Sequence, residues 1–228
     1  MDEPLSHRNR CLYEGDRYRA CTLTGDPTSG AGGLLHRLLE AGQARTTRPL
    51  VLEVGANRGE HLGFVRHPWD EYILLDLTAP DPSVTADWPD GTRFVTGDAH
   101  ALPFPDGHFD RTIMTCVLHH LEDPERALVE LRRVTRPGGR ISILLPTDPG
   151  LAYRAVRALT SGVMARRAGR AAEERLSHAR EHRNHYASLM MMLRHVMRTD
   201  TVRLRPFPTG LPAWNLNLVT VIHVTRAD

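Results

Sequence analysis

Three observations predict an α/β domain built on a doubly wound, mostly parallel sheet. Strand-like and helix-like patterns alternate from about residue 50 to residue 145, the rhythm of a parallel sheet with helical crossovers. The apolar run 51–54 passes straight into Gly55-Ala56-Asn57-Arg58-Gly59, where glycines admit positive φ and let a ligand lie against the backbone. The next strand, YILLD, closes on Asp76, a carboxylate placed to accept hydrogen bonds from a ribose diol. Together they place a nucleotide-like cofactor at the top of the first strand.

Each element has its own local reason. Residues 1–29 carry scattered charge and a Gly-Asp-Pro turn and are read as an irregular arm. Leu34, Leu35, Leu38 and Leu39 recur at helical spacing over 32–41, with Gly42 as the stop. A polar connector, 45–48, leads into the first strand. After the glycine turn, 60–65 is expected to continue as a short helix, with Glu60 near its positive dipole end. Residues 72–75 form the second strand. The stretch 79–90 holds Pro80, Pro82 and Pro89 and reads as loop with a fragment of helix. Residues 93–96 are the third strand, followed by Gly97-Asp98-Ala99, and 109–115 the fourth. The best-signed helix follows. Asp123 is its N-cap, Pro124 its first residue, Ala127, Leu128, Leu131 and Val134 its buried stripe, and Pro137-Gly138-Gly139 its stop. The fifth strand is 140–145. The alternation then breaks: 151–197 carries only helical pattern, ending in the stripe Tyr186, Leu189, Met190, Leu193, Val196 and Met197. Residues 201–204 and 218–225 are two final strands.

Composition limits the chemistry. At 228 residues the chain suits one domain with an insertion, and its net charge of +2 gives no reason to expect a nucleic-acid partner. All 29 lysine-or-arginine positions are arginine, which excludes lysine Schiff-base and P-loop chemistry. Cys11, Cys21 and Cys116 form neither a CxxC nor an even framework, so a reducing, cytoplasmic setting is expected. No apolar run approaches the ~18 residues of a membrane span, so no membrane partner is expected.

The turn leaves two classes of cofactor open. A dinucleotide site needs G-x-G-x-x-G, and here only Gly55 and Gly59 match a glycine spacing. A glycine-poor turn suits a sulfonium with an amino-acid tail better than a pyrophosphate. With LEVGANRGEHL, YILLDLT, GDAHALPFPDGHFD and TCVLHHLEDPERALVELRRVTRPGGRISILLP in this order, the stretch 48–146 resembles the class I S-adenosylmethionine-dependent methyltransferases. That broad group includes ubiquinone/menaquinone C-methyltransferases and many natural-product enzymes.

The resemblance implies a Rossmann-like sheet of seven strands in the order 3-2-1-4-5-7-6, the last strand antiparallel. It implies a single domain: arm and helix over 1–47, cofactor core over 48–146, a helical lid over 149–198 between strands five and six, and the final strands over 199–228. It also implies S-adenosylmethionine as cofactor. Glu53 would help hold the methionine amino group, and Gly55, Ala56 and Gly59 would wrap the methionine portion. Asp76 would take the ribose hydroxyls, with Leu77 against the adenine. Asp98 would bond the adenine amino group with the Ala99 amide nearby, and Cys116 and Val117 would offer backbone to the methionine tail. Asn57 departs from the family, which has glycine there. Asparagine tolerates positive φ best among the other residues, and its side chain is placed to bond the cofactor carboxylate.

The implied function is methyl transfer to a small organic acceptor, a secondary metabolite, by in-line displacement. The absence of an Asn-Pro-Pro-Tyr type motif after strand four argues against nucleic-acid bases as acceptors, and the oligomeric state is open. A second reading of a different class keeps the fold but loses methylation, giving a cofactor-assisted cyclase or isomerase. His119 and His120 end a strand at the ligand-binding edge, where either accepts a proton from an acceptor hydroxyl or simply packs. His178, His182 and His185 stand at i, i+4 and i+7 of one helix face. If the insertion closes over the sheet, His185 is a third candidate base and His182 and Tyr186 meet the substrate. No metal is expected. Cys116-x-x-His119-His120 has no companion cluster, and Arg180 and Arg183 interleave the other histidines as in a solvated face.

Overall fold

The computed structural model describes residues 28, 30–43, 46 and 48–228; nearly all of the expected arm, and part of the connector at 45–48, lie outside the described residues. The strands are β1 Leu50–Val54, β2 Glu71–Asp76, β3 Thr92–Thr96, β4 Phe109–Thr115, β5 Thr135–Pro146, β6 Thr201–Phe207 and β7 Val219–Thr225. They form one sheet in the order β3-β2-β1-β4-β5-β7-β6. β7 runs antiparallel to both of its neighbours, and every other pairing is parallel. This is the order that the resemblance implies. It reverses direction between β1 and β4, and a crevice at the carboxyl ends of strands at such a switch is where open α/β sheets bind ligands.

Helices cover both faces. The first, α1 Gly30–Glu40, lies over the face carrying Val51, Tyr72, Leu74, Ile113 and Leu144. α2 Pro82–Thr85 is the helical fragment expected in the proline-rich loop. α3 Pro124–Val134 buries Ala127, Leu128, Leu131 and Val134 on the other face, as its periodicity predicts. Asp123 caps it by accepting from the Arg126 amide at 3.0 Å.

The remaining helices are α4 Leu151–Leu159, α5 Ser161–Arg167, α6 Ala171–Glu181 and α7 Tyr186–Val196. α7 differs from the lid expected over 149–198. Its Leu189, Met190 and Leu193 join Leu128, Leu131, Ile143 and Ile222 in one buried cluster beside α3. It is the ordinary crossover helix between β5 and β6, which leaves α4–α6 as the extra helical segment.

Three local expectations need correction. No α-helix follows the glycine turn: the chain makes turns at 57–61 and then a 3₁₀ turn, Leu62–Phe64. Gly63 interrupts the window and Pro68 ends it, leaving too few residues to repay helix nucleation. Glu60 therefore has no helix dipole to serve. In α1 the buried residues are Gly32, Gly33, His36, Leu39 and Glu40, and Leu34 is 39 % exposed. The helix is rotated away from the leucine stripe because His36 and Glu40 bond into the core. Finally, β5 begins at Thr135 rather than 140. Its pairing with β4 shifts between Phe109 and Arg111, an irregularity that absorbs Pro137-Gly138-Gly139 within the strand. Among the described residues, no helix is long and apolar enough to cross a membrane.

Candidate active site

The glycine turn bends where the sequence expects. Gly55 (φ 72°), Asn57 (φ 47°) and Gly59 (φ 78°) all lie in the left-handed region. A Cβ on Gly55 would fall 2.3 Å from Val117 Cγ2, so the turn and the segment after β4 meet too closely for any side chain. The Gly55 and Ala56 amides donate to the Leu75 carbonyl at 2.8 and 3.1 Å, fastening the turn to the end of β2.

Asp76 closes the crevice from β2. Its Oδ2 accepts from the Asn57 amide at 2.8 Å and its Oδ1 from the Leu77 amide at 2.7 Å. Burial raises its pKa against the opposition of those amides. Leu77 beside it is 45 % exposed. The Asn57 side chain donates to Glu60 Oε1 at 2.7 Å, and the Arg58 amide to Glu60 Oε2 at 3.2 Å. Glu60 thus clamps the turn in the absence of a helix, and Asn57 Nδ2 points to a neighbour within the turn.

Glu53 lies buried one layer below, where it accepts a hydrogen bond from the Tyr72 hydroxyl at 2.8 Å. Desolvation, aided by repulsion from Glu60, pushes its pKa up to about 8 against the Tyr72 bond. Glu60 is raised by burial too. Three desolvated carboxylates with raised pKa values around one turn form a site that favours a cation. Across the crevice, Asp98 Oδ1 accepts from the His100 amide (2.9 Å) and ring (2.6 Å). Partial burial opposes ionisation of Asp98, but these bonds outweigh it and hold the carboxyl below its ordinary value. Ala99 is buried beside it.

Cys116 turns the chain at the end of β4 with φ 56°, its amide donating to Leu144 O at 3.0 Å. Burial pushes its thiol up to about 12, so it is neither a ready nucleophile nor a ready thiolate ligand. Thr115 Oγ1 is buried with no hydrogen-bond partner among the described residues.

The 3₁₀ turn Leu118–His120 then delivers His119 and His120. Here the structure brings together what the sequence keeps apart. α6 ends at Glu181, and His182 caps it. His182 stands 4.5 Å from His119 and 4.0 Å from His178, ring centre to ring centre, while His119 and His120 are 3.8 Å apart. Asp148 Oδ2 holds His182 Nδ1 at 3.1 Å and His178 Nε2 at 3.2 Å. Burial acts against ionisation of Asp148, but the two histidines outweigh it and hold its carboxyl well below the usual range. Burial lowers His119 strongly and His120 to about 3, so both imidazoles are neutral at pH 7.

Histidines 178, 182 and 185 do not share a helix face, because the helix breaks at 182. His185 is exposed at the start of α7. Tyr186 is buried in the core, accepting from the Thr220 hydroxyl at 3.0 Å. Neither joins the histidine cluster. Two residues that the sequence reading passes over do the positioning. Asp148 lies just beyond the end of β5. Asn184 Nδ2 donates to the Leu121 carbonyl at 2.7 Å, tying the loop after α6 to the turn after β4. An aspartate just past a strand's carboxyl end was a readable signal; the partners of Asn184 were not.

Residues 52–143, about two fifths of the chain, match a family whose description is methyltransferase domain. A demethylmenaquinone methyltransferase from Renibacterium salmoninarum is 32 % identical over 118 residues, 46 % of this chain and 50 % of that one. A ubiquinone/menaquinone biosynthesis C-methyltransferase from Hahella chejuensis is 44 % identical over 91 residues, 36 % of each. The chain therefore spans half or less of the length of these relatives. Among solved structures, phosphoethanolamine N-methyltransferase 2 from Haemonchus contortus, in complex with S-adenosyl-L-methionine, matches all of this chain and 61 % of that one. Its TM-score is 0.67 at 11 % identity. The CurJ carbon methyltransferase matches 92 % of this chain and 59 % of that one, with TM-score 0.57 and 18 % identity. At such identities the structural likeness shows the fold.

Proposed function

We infer that this chain, whose core is a class I S-adenosylmethionine-dependent methyltransferase domain, transfers a methyl group from that cofactor to a small organic acceptor. The observation that carries the reading is the carboxylate-ringed turn at the ends of β1 and β2. Gly55 leaves no room for a side chain there, and Glu53, Glu60 and Asp76 are desolvated, with no guanidinium among the hydrogen bonds they accept from the described residues. This donor set fits a ligand with a diol and two positive centres. Bound there, S-adenosylmethionine supplies a methyl group made electrophilic by its sulfonium.

The residues then divide by task. Beyond the amide bonds it already accepts, Asp76 keeps accepting capacity for ribose hydroxyls, and Leu77 offers an apolar surface to the adenine. Asp98 and the Ala99 amide serve the adenine edge. Gly55, Ala56, Asn57 and Gly59, with the backbone of Cys116 and Val117, enclose the amino-acid end, and Glu53 supplies the counter-charge for its ammonium. His119, His120 and His182 line the acceptor end, two to three residues and one loop away from Val117. Alignment of donor and acceptor provides most of the acceleration, since holding reactants in line removes the entropy cost of a bimolecular encounter. The acceptor is a small metabolite, of the natural-product kind, taken up under α4–α6 acting as lid, in a cytoplasmic protein that uses neither nucleic acid nor membrane as partner. The relatives and neighbours named above are methyltransferases, which favours methyl transfer over a cofactor-assisted cyclase.

Methyl-labelled S-adenosylmethionine, incubated with the protein and a panel of phenols, quinols, amines and active methylenes, tests this. Label in an acceptor with equimolar S-adenosylhomocysteine is the expected result. Conversion of an acceptor without S-adenosylhomocysteine would mean that methylation has been lost.

A further inference from the structure

The histidines at the carboxyl ends of β4 and β5 carry more than a pocket lining needs. Ligand atoms of His119, His120 and His182 all lie within 4.8 Å of one another. Two of the three rings are also held from behind. His120 Nδ1 lies 3.0 Å from the Glu181 carbonyl, which can only accept, so this nitrogen carries the proton and the lone pair sits on Nε2. His182 Nδ1 lies 3.1 Å from Asp148 Oδ2, which fixes the same tautomer. His119 leaves Nδ1 buried with no hydrogen-bond partner among the described residues, and an unmet buried polar atom of this kind costs about 1–3 kcal/mol. The carbonyl behind His120 and the carboxylate behind His182 are the support that metal-bound histidines commonly have.

We propose that His119, His120 and His182 bind one divalent transition-metal ion of the zinc type, with Asp148 and the Glu181 carbonyl as its outer support. Three neutral nitrogens suit zinc, whose tetrahedral shell then keeps a fourth position open. Zinc–nitrogen bonds of about 2.0–2.1 Å set nitrogens roughly 3.3 Å apart, so small ring rotations close the present spacing. A second triple, Asp148, His178 and His182, also has its ligand atoms within 4.8 Å. There Asp148 Oδ2 already stands at hydrogen-bond distance from both rings, at 3.1 and 3.2 Å. That occupies His182 Nδ1 and leaves Nε2 as the nitrogen with a lone pair to offer beside His119 and His120. Asn184, anchored on Leu121 O, holds the loop in that position. The site does not depend on the methyl-transfer reading.

The test uses the full chain stripped with chelator and dialysed against zinc alone, then against cobalt(II). We expect about one zinc per chain by elemental analysis, and visible cobalt ligand-field bands of tetrahedral intensity. His120→Ala and His182→Ala should each weaken zinc binding by at least about 100-fold, and Asp148→Asn by about 10–100-fold. His178→Ala should retain one zinc within about threefold. Thermal unfolding of the stripped proteins checks that the variants fold. The wild-type cobalt spectrum needs no variant, so the proposal stays testable if one of them collapses. Wild-type protein that binds zinc no more tightly than the His120→Ala/His182→Ala double variant overturns it. Loss of zinc with His178→Ala but not with His120→Ala overturns it as well, since the ion would then sit in the second triple. No cofactor or acceptor is present, so a negative result leaves methyl transfer standing.

Discussion

Asn57 is the residue at which the turn departs from the glycine that the family resemblance implies, and its backbone answers for it. At φ 47° a residue with a Cβ is strained, and asparagine bears that strain best. Asn57→Ala should therefore cost about 1–2 kcal/mol in urea unfolding, with the Glu60 bond lost as well. Asn57→Gly should stay within about 0.5 kcal/mol of wild type, because relief of strain offsets that bond. Glu53 gives a sharper prediction. With its pKa pushed up to about 8 against an ordinary value of 4.5, it is protonated at pH 7 in the free protein. Folding holds on to a proton that the unfolded chain releases, so this group's contribution to stability falls as pH rises from about 4.5 to about 8. A cofactor ammonium beside it demands the carboxylate. Binding at pH 7 should then release a substantial fraction of a proton, read as a dependence of calorimetric heat on the buffer's ionisation enthalpy. Glu53→Gln should abolish the dependence.

Elements were legible where local signals agreed. β4 matches its expected limits, 109–115, although Asp110, Arg111 and Thr112 interrupt its apolar pattern, because the turn at 106–107 and the 3₁₀ turn at 118–120 bracket it, and α3 shows its N-cap, first proline and stripe as written. The expected helix after the glycine turn failed, because Gly63 and Pro68 outweighed a short apolar pattern. Half of the histidine cluster was visible only as scattered residues. His119 and His182 lie far apart in the chain, and no local periodicity encodes that β4, β5 and the loop after α6 meet. The stripe on α7 was legible, but its place was not: it faces α3 and the sheet, as a crossover helix must. Leu193→Ala should accordingly cost about 2–5 kcal/mol. Leu159→Ala on α4, at a position 74 % exposed, should change stability by less than about 0.5 kcal/mol. Equal costs at both would mean that α4–α6 belong to the body of the fold.

At the scale of the molecule, α1 takes the place of the missing crossover helix, and a buried charged cluster locks it down. Arg111, in the middle of β4 and fully buried, meets both oxygens of Glu40 at 2.5 and 3.2 Å, and also His67 at 2.9 Å. His61 approaches Glu40 at 3.1 Å. Burial alone would raise Glu40, but the His61 bond and the Arg111 charge outweigh it and hold the carboxyl far below its ordinary 4.5. The pair's stabilisation is present above the unfolded value near 4.5 and is lost as pH falls below it. Urea midpoints should drop between pH 5 and pH 3, and Glu40→Gln should flatten that slope. Removing Arg111 alone leaves the buried Glu40 carboxylate with His61 as its remaining partner and should cost about 3–5 kcal/mol. The same sheet whose one face is locked by α1 opens its carboxyl edge at the β1–β4 switch, where the carboxylate-ringed turn and the histidine cluster stand side by side. Calorimetric titration with S-adenosylhomocysteine reads whether this edge holds a methyl donor. One site per chain, with affinity reduced roughly 10–100-fold in Asp76→Ala, is the predicted result; no binding by the wild type, or affinity indifferent to Asp76, would contradict it.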